Sequence, residues 1–353
     1  MEETITYKYY LENHFKQFGS LIIEVCHYCP VECGHCHVQS DKKSKLVIDD
    51  KTLIDSINDF AKLQNSNIVM FTGGDPYSFP EKLKLGLELA AKNNLKSYTL
   101  TSGFWAKNRN SAKKYLDKLP PIDLFAVSID QYHVDKIGID SPFNALYESI
   151  DKGYSSFLCI GHLGKQDPFR DFVLNKIDIK YLNKFEIIYY PLLARGSGSN
   201  LPELKGRELS RNSNQFCFSV GAPILLSNGN ISACCHTTQV NKIRNNITTP
   251  LHIGSNGEIG VALSSYLKNN FLKLMRIYGP IKLSELVGLD LPSNAIDWDI
   301  CKSCEYLHKE NTLNKIDSYI NSLSSQELEH LKILDFLNSK GSIENLQTDS
   351  VCI

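Results

Sequence analysis

Leu21-Ile22-Ile23-Glu24-Val25-Cys26-His27-Tyr28-Cys29-Pro30-Val31-Glu32-Cys33-Gly34-His35-Cys36 joins a strand and a cysteine loop in one run. Leu21–Val25 is short, apolar and rich in Ile and Val, which is how a strand reads. The loop then carries Cys29, Cys33 and Cys36 at the spacing Cys-x3-Cys-x2-Cys. Three thiolates on one tight loop can face three corners of a cubane iron–sulfur cluster. The fourth iron then has no protein ligand and can hold a small molecule. Zinc is the rival reading, because Cys26–Cys29 and Cys33–Cys36 are two Cys-x2-Cys pairs. Only Pro30, Val31 and Glu32 separate them, whereas zinc ribbons leave roughly 15–20 residues between pairs.

The pattern outward from this run alternates. Further strand-like runs occur at Ile68–Phe71, Ser97–Leu100, Leu124–Ile129, Phe157–Ile160 and Phe185–Tyr190. Helical spacing fills the gaps, starting at Ile48 and Phe79 and over Asn108–Leu119, Pro142–Lys152 and Pro168–Tyr181. Strands alternating with helices predict an α/β chain with a parallel sheet. On periodicity alone, an open (β/α)6 barrel and a doubly wound sheet fit equally. After Tyr190 the stretch Pro191–Asn200 turns Gly- and Ser-rich, which predicts a loop and a domain boundary. A hairpin is predicted over Ala222–Leu226 and Ile231–Cys235, with its turn at Gly229. Helices are predicted over Val261–Tyr278, Asn311–Leu323 and Gln326–Asn338.

The chain of 353 residues has a net charge of −1, which argues against a basic nucleic-acid-binding surface. With 42% apolar residues it is not a disordered chain. Its apolar runs fall far short of the roughly 20 residues needed to span a bilayer. Met1–Ser20 holds no apolar stretch of the signal-peptide kind, so a cytoplasmic location is expected. In a reducing compartment, eleven cysteines point to metal or chemistry rather than disulfides. Cys159 reads as core and Cys352 as part of a terminus.

The cysteine loop after the first strand resembles the signature of the radical S-adenosylmethionine (SAM) enzymes. Thr72-Gly73-Gly74-Asp75-Pro76, after the second strand, is similar to the family's Gly-Gly-Glu-Pro motif with Asp for Glu. The resemblance implies a partial (β/α)6 TIM-like barrel followed by a small α+β auxiliary-cluster domain. It implies a [4Fe–4S] cluster on Cys29, Cys33 and Cys36, with SAM on its open iron. Gly73, Gly74 and Asp75 would lie against the SAM methionine group. Thr101 and Ser102 at the third strand end, Ser128 and Asp130 at the fourth, and Arg195 after the sixth match positions that contact SAM in the family. A Ser or Asp ending a strand is equally a turn residue. All of these sit at C-terminal strand ends, where parallel barrels build their sites. His35 stands where the family commonly has an aromatic residue and reads as packing, and His133 and His236 read as loop histidines.

Cys217 is followed by eleven residues, then Gly229, four residues and Cys234, with Cys301-Lys302-Ser303-Cys304 later. This resembles the twitch or SPASM auxiliary domain of one radical SAM subgroup. The resemblance implies a second [4Fe–4S] cluster on Cys217, Cys234, Cys301 and Cys304, the last pair on a loop. Residues 305–351 hold no cysteine, so the one-cluster twitch form fits better. A four-cysteine zinc site would use the same ligands. The expected organisation is an N-terminal extension over 1–19, the barrel over 20–200, the auxiliary domain over 201–310 and a helical extension over 311–353. Cys235 beside Cys234 should point to the opposite face of its strand, toward the barrel mouth. Some peptide epimerases of this class are thought to use such a thiol as a hydrogen donor. A buried small hydrophobe is the plain alternative.

The implied activity is reductive cleavage of SAM to a 5′-deoxyadenosyl radical that takes hydrogen from a substrate. Proteins with such auxiliary domains often crosslink or epimerise ribosomally made peptides, which makes a peptide or protein the expected substrate. A sugar, nucleoside or amino acid is the alternative, and a non-catalytic zinc module is the reading from another class. An external electron donor is implied. About twenty residues precede the first strand, so a precursor is expected to need either a separate precursor-recognition protein or a groove in the C-terminal region. After anaerobic reconstitution the chain is expected to hold about eight irons, falling to about four in a Cys29/Cys33/Cys36→Ala triple variant. Zinc with little iron in both proteins would remove the radical chemistry.

Overall fold

The computed structural model describes residues 5–164, 166–205, 217, 219–291 and 300–341, with side chains described as far as 335. Cys352 lies outside these residues. Six parallel strands form the body: β1 (Ser20–Cys26), β2 (Ile68–Gly73), β3 (Lys96–Thr101), β4 (Leu124–Ile129), β5 (Ser155–His162) and β6 (Glu186–Pro191). Their order across the sheet follows the chain, each strand beside the next. Every one of the six runs expected from sequence is therefore a strand, and the sheet is parallel as the alternation requires. β1 is buried along its whole length, as a central parallel strand should be.

Helices cover the sheet. The ones used below are α1 (Tyr7–His14), α2 (Asp50–Ala61), α3 (Pro80–Lys92), α4 (Arg109–Leu116), α5 (Gln131–Ile137), α6 (Asp140–Asp151) and α7 (Pro168–Leu174). Local chemistry sets their starts. Asp49, Asn108, Asp130 and Asp167 each accept a backbone N–H from the first turn of the following helix. α1 and α5 were not legible from periodicity, being only eight and seven residues long. The helix expected over Pro168–Tyr181 stops at Leu174, and a 3-10 turn follows at Ile179–Tyr181.

The sheet does not end at β1. The predicted hairpin is β7 (Ile224–Leu225) and β8 (Ile231–Ser232), its second arm ending before Cys234 and Cys235 rather than carrying them, and β7 pairs in parallel with β1, Ile22 opposite Ile224 and Ile23 opposite Leu225. α8 (Thr237–Arg244) and β9 (His252–Gly254) come next, β9 pairing with β8. Among the described residues the sheet thus has nine strands, with β1 inside it. The helix expected over Val261–Tyr278 is divided into α9 (Ile259–Lys268) and α10 (Asn270–Leu286), and α10 itself kinks at Gly279, φ 69°, just past the expected end. Asn269 divides them because it turns extended and its side chain accepts the Leu272 N–H. Cys301–Cys304 was expected as a loop and is instead a helix, α11 (Ile300–Tyr306), which puts both thiols on one face. α12 (Glu310–Ser322) and α13 (Ser325–Gly341) agree with the sequence expectation.

Two buried contacts join β7–β9 and their helices to the barrel. Arg244 ends α8 and grips Glu24 of β1 through Nε at 3.1 Å and through a second, closer bond from the guanidinium to Oε2. Ser227 Oγ donates to the same carboxylate at 2.5 Å. Both charged side chains are nearly inaccessible to solvent, 4% and 3%. Removing one partner of such a pair leaves an uncompensated buried charge. Arg244→Met is therefore expected to lower stability by about 3–5 kcal/mol in urea unfolding. A Glu24→Leu/Arg244→Met double variant should recover much of that loss. Equal stability of the single variant and the parent would remove this pair as the tie.

Candidate functional site

The cysteine loop leaves β1 at Cys26 and is held by backbone bonds at both ends. His27 N donates to Leu46 O at 2.9 Å and Cys29 N to Asp41 O at 3.1 Å. Inside the loop Cys36 N donates to Cys33 O at 3.1 Å. Glu32 and Gln39 take left-handed backbone angles, φ 51° and 56°, which fold the loop tightly. Cys29, Cys33 and Cys36 are each half-buried and none is in a disulfide. Burial pushes the Cys29 and Cys36 thiols up, so without metal they stay protonated. Cys26 is different. It is fully buried, its thiol donates to Tyr28 O and Asp75 O, and burial pushes it up to about 12.

Three thiols of this loop line one cavity of about 230 Å³. The same cavity is walled by Gly73, Gly74, Asp75, Thr101, Ser102, Ser128 and Arg195, and by Cys235. The structure thus collects around one space residues that the sequence had spread over six strand ends. Asp130 is the exception among the expected cofactor contacts. It does not line the cavity, and its carboxylate is taken up elsewhere.

Gly73 and Gly74 have a requirement that sequence alone did not show. A Cβ on Gly73 would sit 2.2 Å from Cys26 O, and one on Gly74 would sit 1.9 Å from Tyr28 O. Gly74 N donates to Cys26 O at 2.7 Å and Asp75 N to Tyr28 O at 3.1 Å. The glycines are there so that the second strand end can lie directly against the cysteine loop. Asp75 is wholly buried. It accepts from Thr101 Oγ1 at 2.9 Å, Ser102 N at 2.9 Å and Ser102 Oγ at 2.9 Å, and from Tyr77 N at 3.1 Å. Burial pushes its carboxyl up, against the pull of the Ser102, Thr101 and Tyr77 bonds. Its side chain therefore fixes the third strand end, and so sets one wall of the cavity.

Asp130 holds the opposite wall. It caps α5 through His133 N at 2.9 Å and lies 2.9 Å from His133 Nδ1 and 3.2 Å from His35 Nε2. Burial opposes its charge, but His133 and His35 beside it hold it well below the usual carboxylate range. For His133 burial likewise opposes charge, and Asp130 outweighs it and raises the imidazole, helped by the Cys33 sulfur. His35 stacks on Tyr132 with ring centres 4.9 Å apart. The expected packing histidine and loop histidine are thus one buried cluster that braces the cysteine loop against α5. The sequence signal was Asp130-x-x-His133, which is a helix-capping spacing. Ser128 Oγ pairs with Tyr190 OH at 2.8 Å.

The Gly/Ser-rich stretch after β6 folds back onto the cysteine loop. Ser197 N donates to Cys36 O at 2.9 Å. Gly196 needs its φ of 55°, and a Cβ there would lie 2.1 Å from His37 O. Arg195 is carried into the cavity wall by this return.

The later cysteines are gathered by the hairpin and α11. Gly221 N donates to Ala233 O at 3.1 Å, which draws the Cys217 turn to the strand end before Cys234. His236 Nε2 lies 2.8 Å from Cys301 O, and Cys304 Sγ lies 3.3 Å from His308 Nε2. Burial and the neighbouring His236 push His308 down to about 3, so it is a neutral partner for the thiol. Cys234, Cys301 and Cys304 are buried and Cys217 half-buried, and the donor type suits iron–sulfur and zinc equally.

No protein-family model matches the chain. A stretch of 123 residues, 34% of this chain, is 24% identical to the "Putative peptide biosynthesis protein YydG" of Bacillus subtilis (strain 168). The match spans 39% of that curated relative's length. Among solved structures, anSMEcpe with bound AdoMet superposes at TM-score 0.53 with 15% identity, over 93% of this chain and 98% of that one. BtrN in complex with AdoMet and 2-DOIA covers 74% of this chain and 88% of its own at 16% identity, with a TM-score of 0.41, too loose a likeness to argue from. The parallel sheet of this chain, with its cysteine loop at the end of the first strand, thus shares the overall fold of anSMEcpe.

Proposed function

We propose that this chain is a peptide-modifying radical SAM enzyme, and that its reaction is epimerisation of a residue within a peptide. The observation that carries the reading is Cys235. It shares a cavity with Cys29, Cys33 and Cys36, which is the place a hydrogen donor to a substrate radical must occupy. The similarity to a protein named for peptide biosynthesis supports a peptide as substrate.

A [4Fe–4S] cluster and SAM, when bound, supply one electron and a 5′-deoxyadenosyl radical that removes a hydrogen atom from carbon. The chain's own residues do the rest. Cys29, Cys33 and Cys36 would ligate the cluster. Gly73 and Gly74 keep the second strand end low against the loop, and Arg195 offers a cation to a carboxylate. Asp75 and Asp130 hold the two walls through buried bonds, so the cavity keeps its shape without rearrangement. The Cys235 thiol then gives its hydrogen atom to the substrate carbon from another side. The sulfur left behind regains one electron and one proton from the external reductant and solvent. Cys217, Cys234, Cys301 and Cys304 would hold the auxiliary [4Fe–4S] cluster, whose chemistry there would be one-electron exchange.

A thiol hydrogen exchanges with solvent, so the test uses deuterium oxide. With SAM, reductant and a substrate peptide, the wild type should yield peptide heavier by one deuterium for each 5′-deoxyadenosine made. Cys235→Ala should still form 5′-deoxyadenosine while deuterium uptake falls at least about a hundredfold, the scale of losing a positioned proton or hydrogen donor. Undiminished uptake in Cys235→Ala would remove the donor role. Turnover of a sugar, nucleoside or amino acid in place of any peptide would remove the peptide reading, and a new intramolecular bond would replace epimerisation by crosslinking.

A further inference from the structure

A second cavity, of about 420 Å³, opens beside the first and lies within the size range of ligand sites. Arg195 and Thr237 stand in the walls of both. The two cavities are therefore neighbours across Arg195 and Thr237, and the first holds Cys235 and the cysteine loop. Its walls come from the loop after β6, from α8 and from α11.

Among the described residues, Lys242 lines this cleft from α8 and Glu305 from α11, and Glu305 lies 3.8 Å from His236 Nε2. Lys242 and Lys302 are exposed, one on α8 and one on α11. Lys242 forms no ion pair with any described residue. Its α8 neighbours do not offer one: Asn241 bonds Gln39, and Arg244 is committed to Glu24. A cation left unneutralised at the mouth of a ligand cleft favours an anionic partner and repels a cationic one.

We propose that this cleft seats the peptide, and that Lys242 pairs with an acidic side chain flanking the residue presented to Cys235. The proposal rests on the peptide reading above and adds to it which peptides are chosen. Arg195, standing between the two spaces, marks the boundary between the SAM side and the peptide side.

The test uses the reconstituted full chain with SAM and two end-capped, fluorescein-labelled peptide pools that differ at one fixed position, Glu in one and Gln in the other. By fluorescence anisotropy the wild type should bind the Glu pool about tenfold more tightly, with the advantage shrinking as salt rises. Lys242→Gln should erase most of the preference. Lys242→Glu should transfer it to a third pool carrying Lys. Both side-chain changes are at an exposed position, and unchanged iron content shows that each variant is intact. Equal binding of the Glu and Gln pools by the wild type overturns the proposal, as does a Glu preference that survives Lys242→Glu. The same pools distinguish the two readings. A Lys242-dependent Glu preference with no modified peptide upholds the cleft and removes the peptide-modifying function, whereas modified peptide with no charge preference does the reverse.

Discussion

Two backbone hydrogen bonds, Gly74 N to Cys26 O and Asp75 N to Tyr28 O, set the relation between the first two strand ends. They need the chain of β2 to approach β1 more closely than any side chain allows, and Gly73 and Gly74 meet that need. From this contact the remaining geometry propagates. The Asp75 carboxylate, locked beneath the loop, gathers Thr101 and Ser102, so the third strand end is placed by the second. Asp130 does the same from the fourth, through His35 and His133. The return loop after β6 closes the ring on Cys36 and His37. The cysteine loop is thus held from three sides by buried polar groups, in a setting where leaving such a group unpaired is costly.

Most of the fold was legible in the sequence, because a buried parallel strand is a short apolar run and the helices between were amphipathic. All six barrel strands and the hairpin were readable in this way. What escaped were short helices, whose few residues give periodicity too little length. α11 is the instructive case. Cys301-Lys302-Ser303-Cys304 reads as a ligand loop by its spacing, yet the same spacing of three suits one helix face. The split between α9 and α10 was hidden for another reason: the apolar pattern runs on through Asn269, and only the side-chain cap reveals the break.

The candidate site was legible at its motifs and illegible at its supports. Cys29, Cys33, Cys36, Gly73, Gly74, Arg195 and Cys235 were all singled out, and they wall one cavity. Asp130 was singled out for contact with a ligand, and it is instead a buried brace. No local pattern distinguishes those two uses of an Asp at a strand end, since the difference lies in which histidines arrive from elsewhere in the chain. The Glu24–Arg244 pair was likewise invisible, its partners lying far apart in sequence with nothing local to match them.

The parallel pairing of β7 with β1 bears on how the chain must be handled as much as on how it works. A fragment ending near residue 200 would keep all six barrel strands and still lose the neighbour that covers β1. Ile22 and Ile23 would then stand on a bare sheet edge, with the backbone groups that now meet Ile224 and Leu225 facing solvent. A flat apolar edge of that kind recruits strands from other molecules. The short segment Ile224–Leu225 is therefore a guard against aggregation, and a barrel cut away from this hairpin would lose that protection.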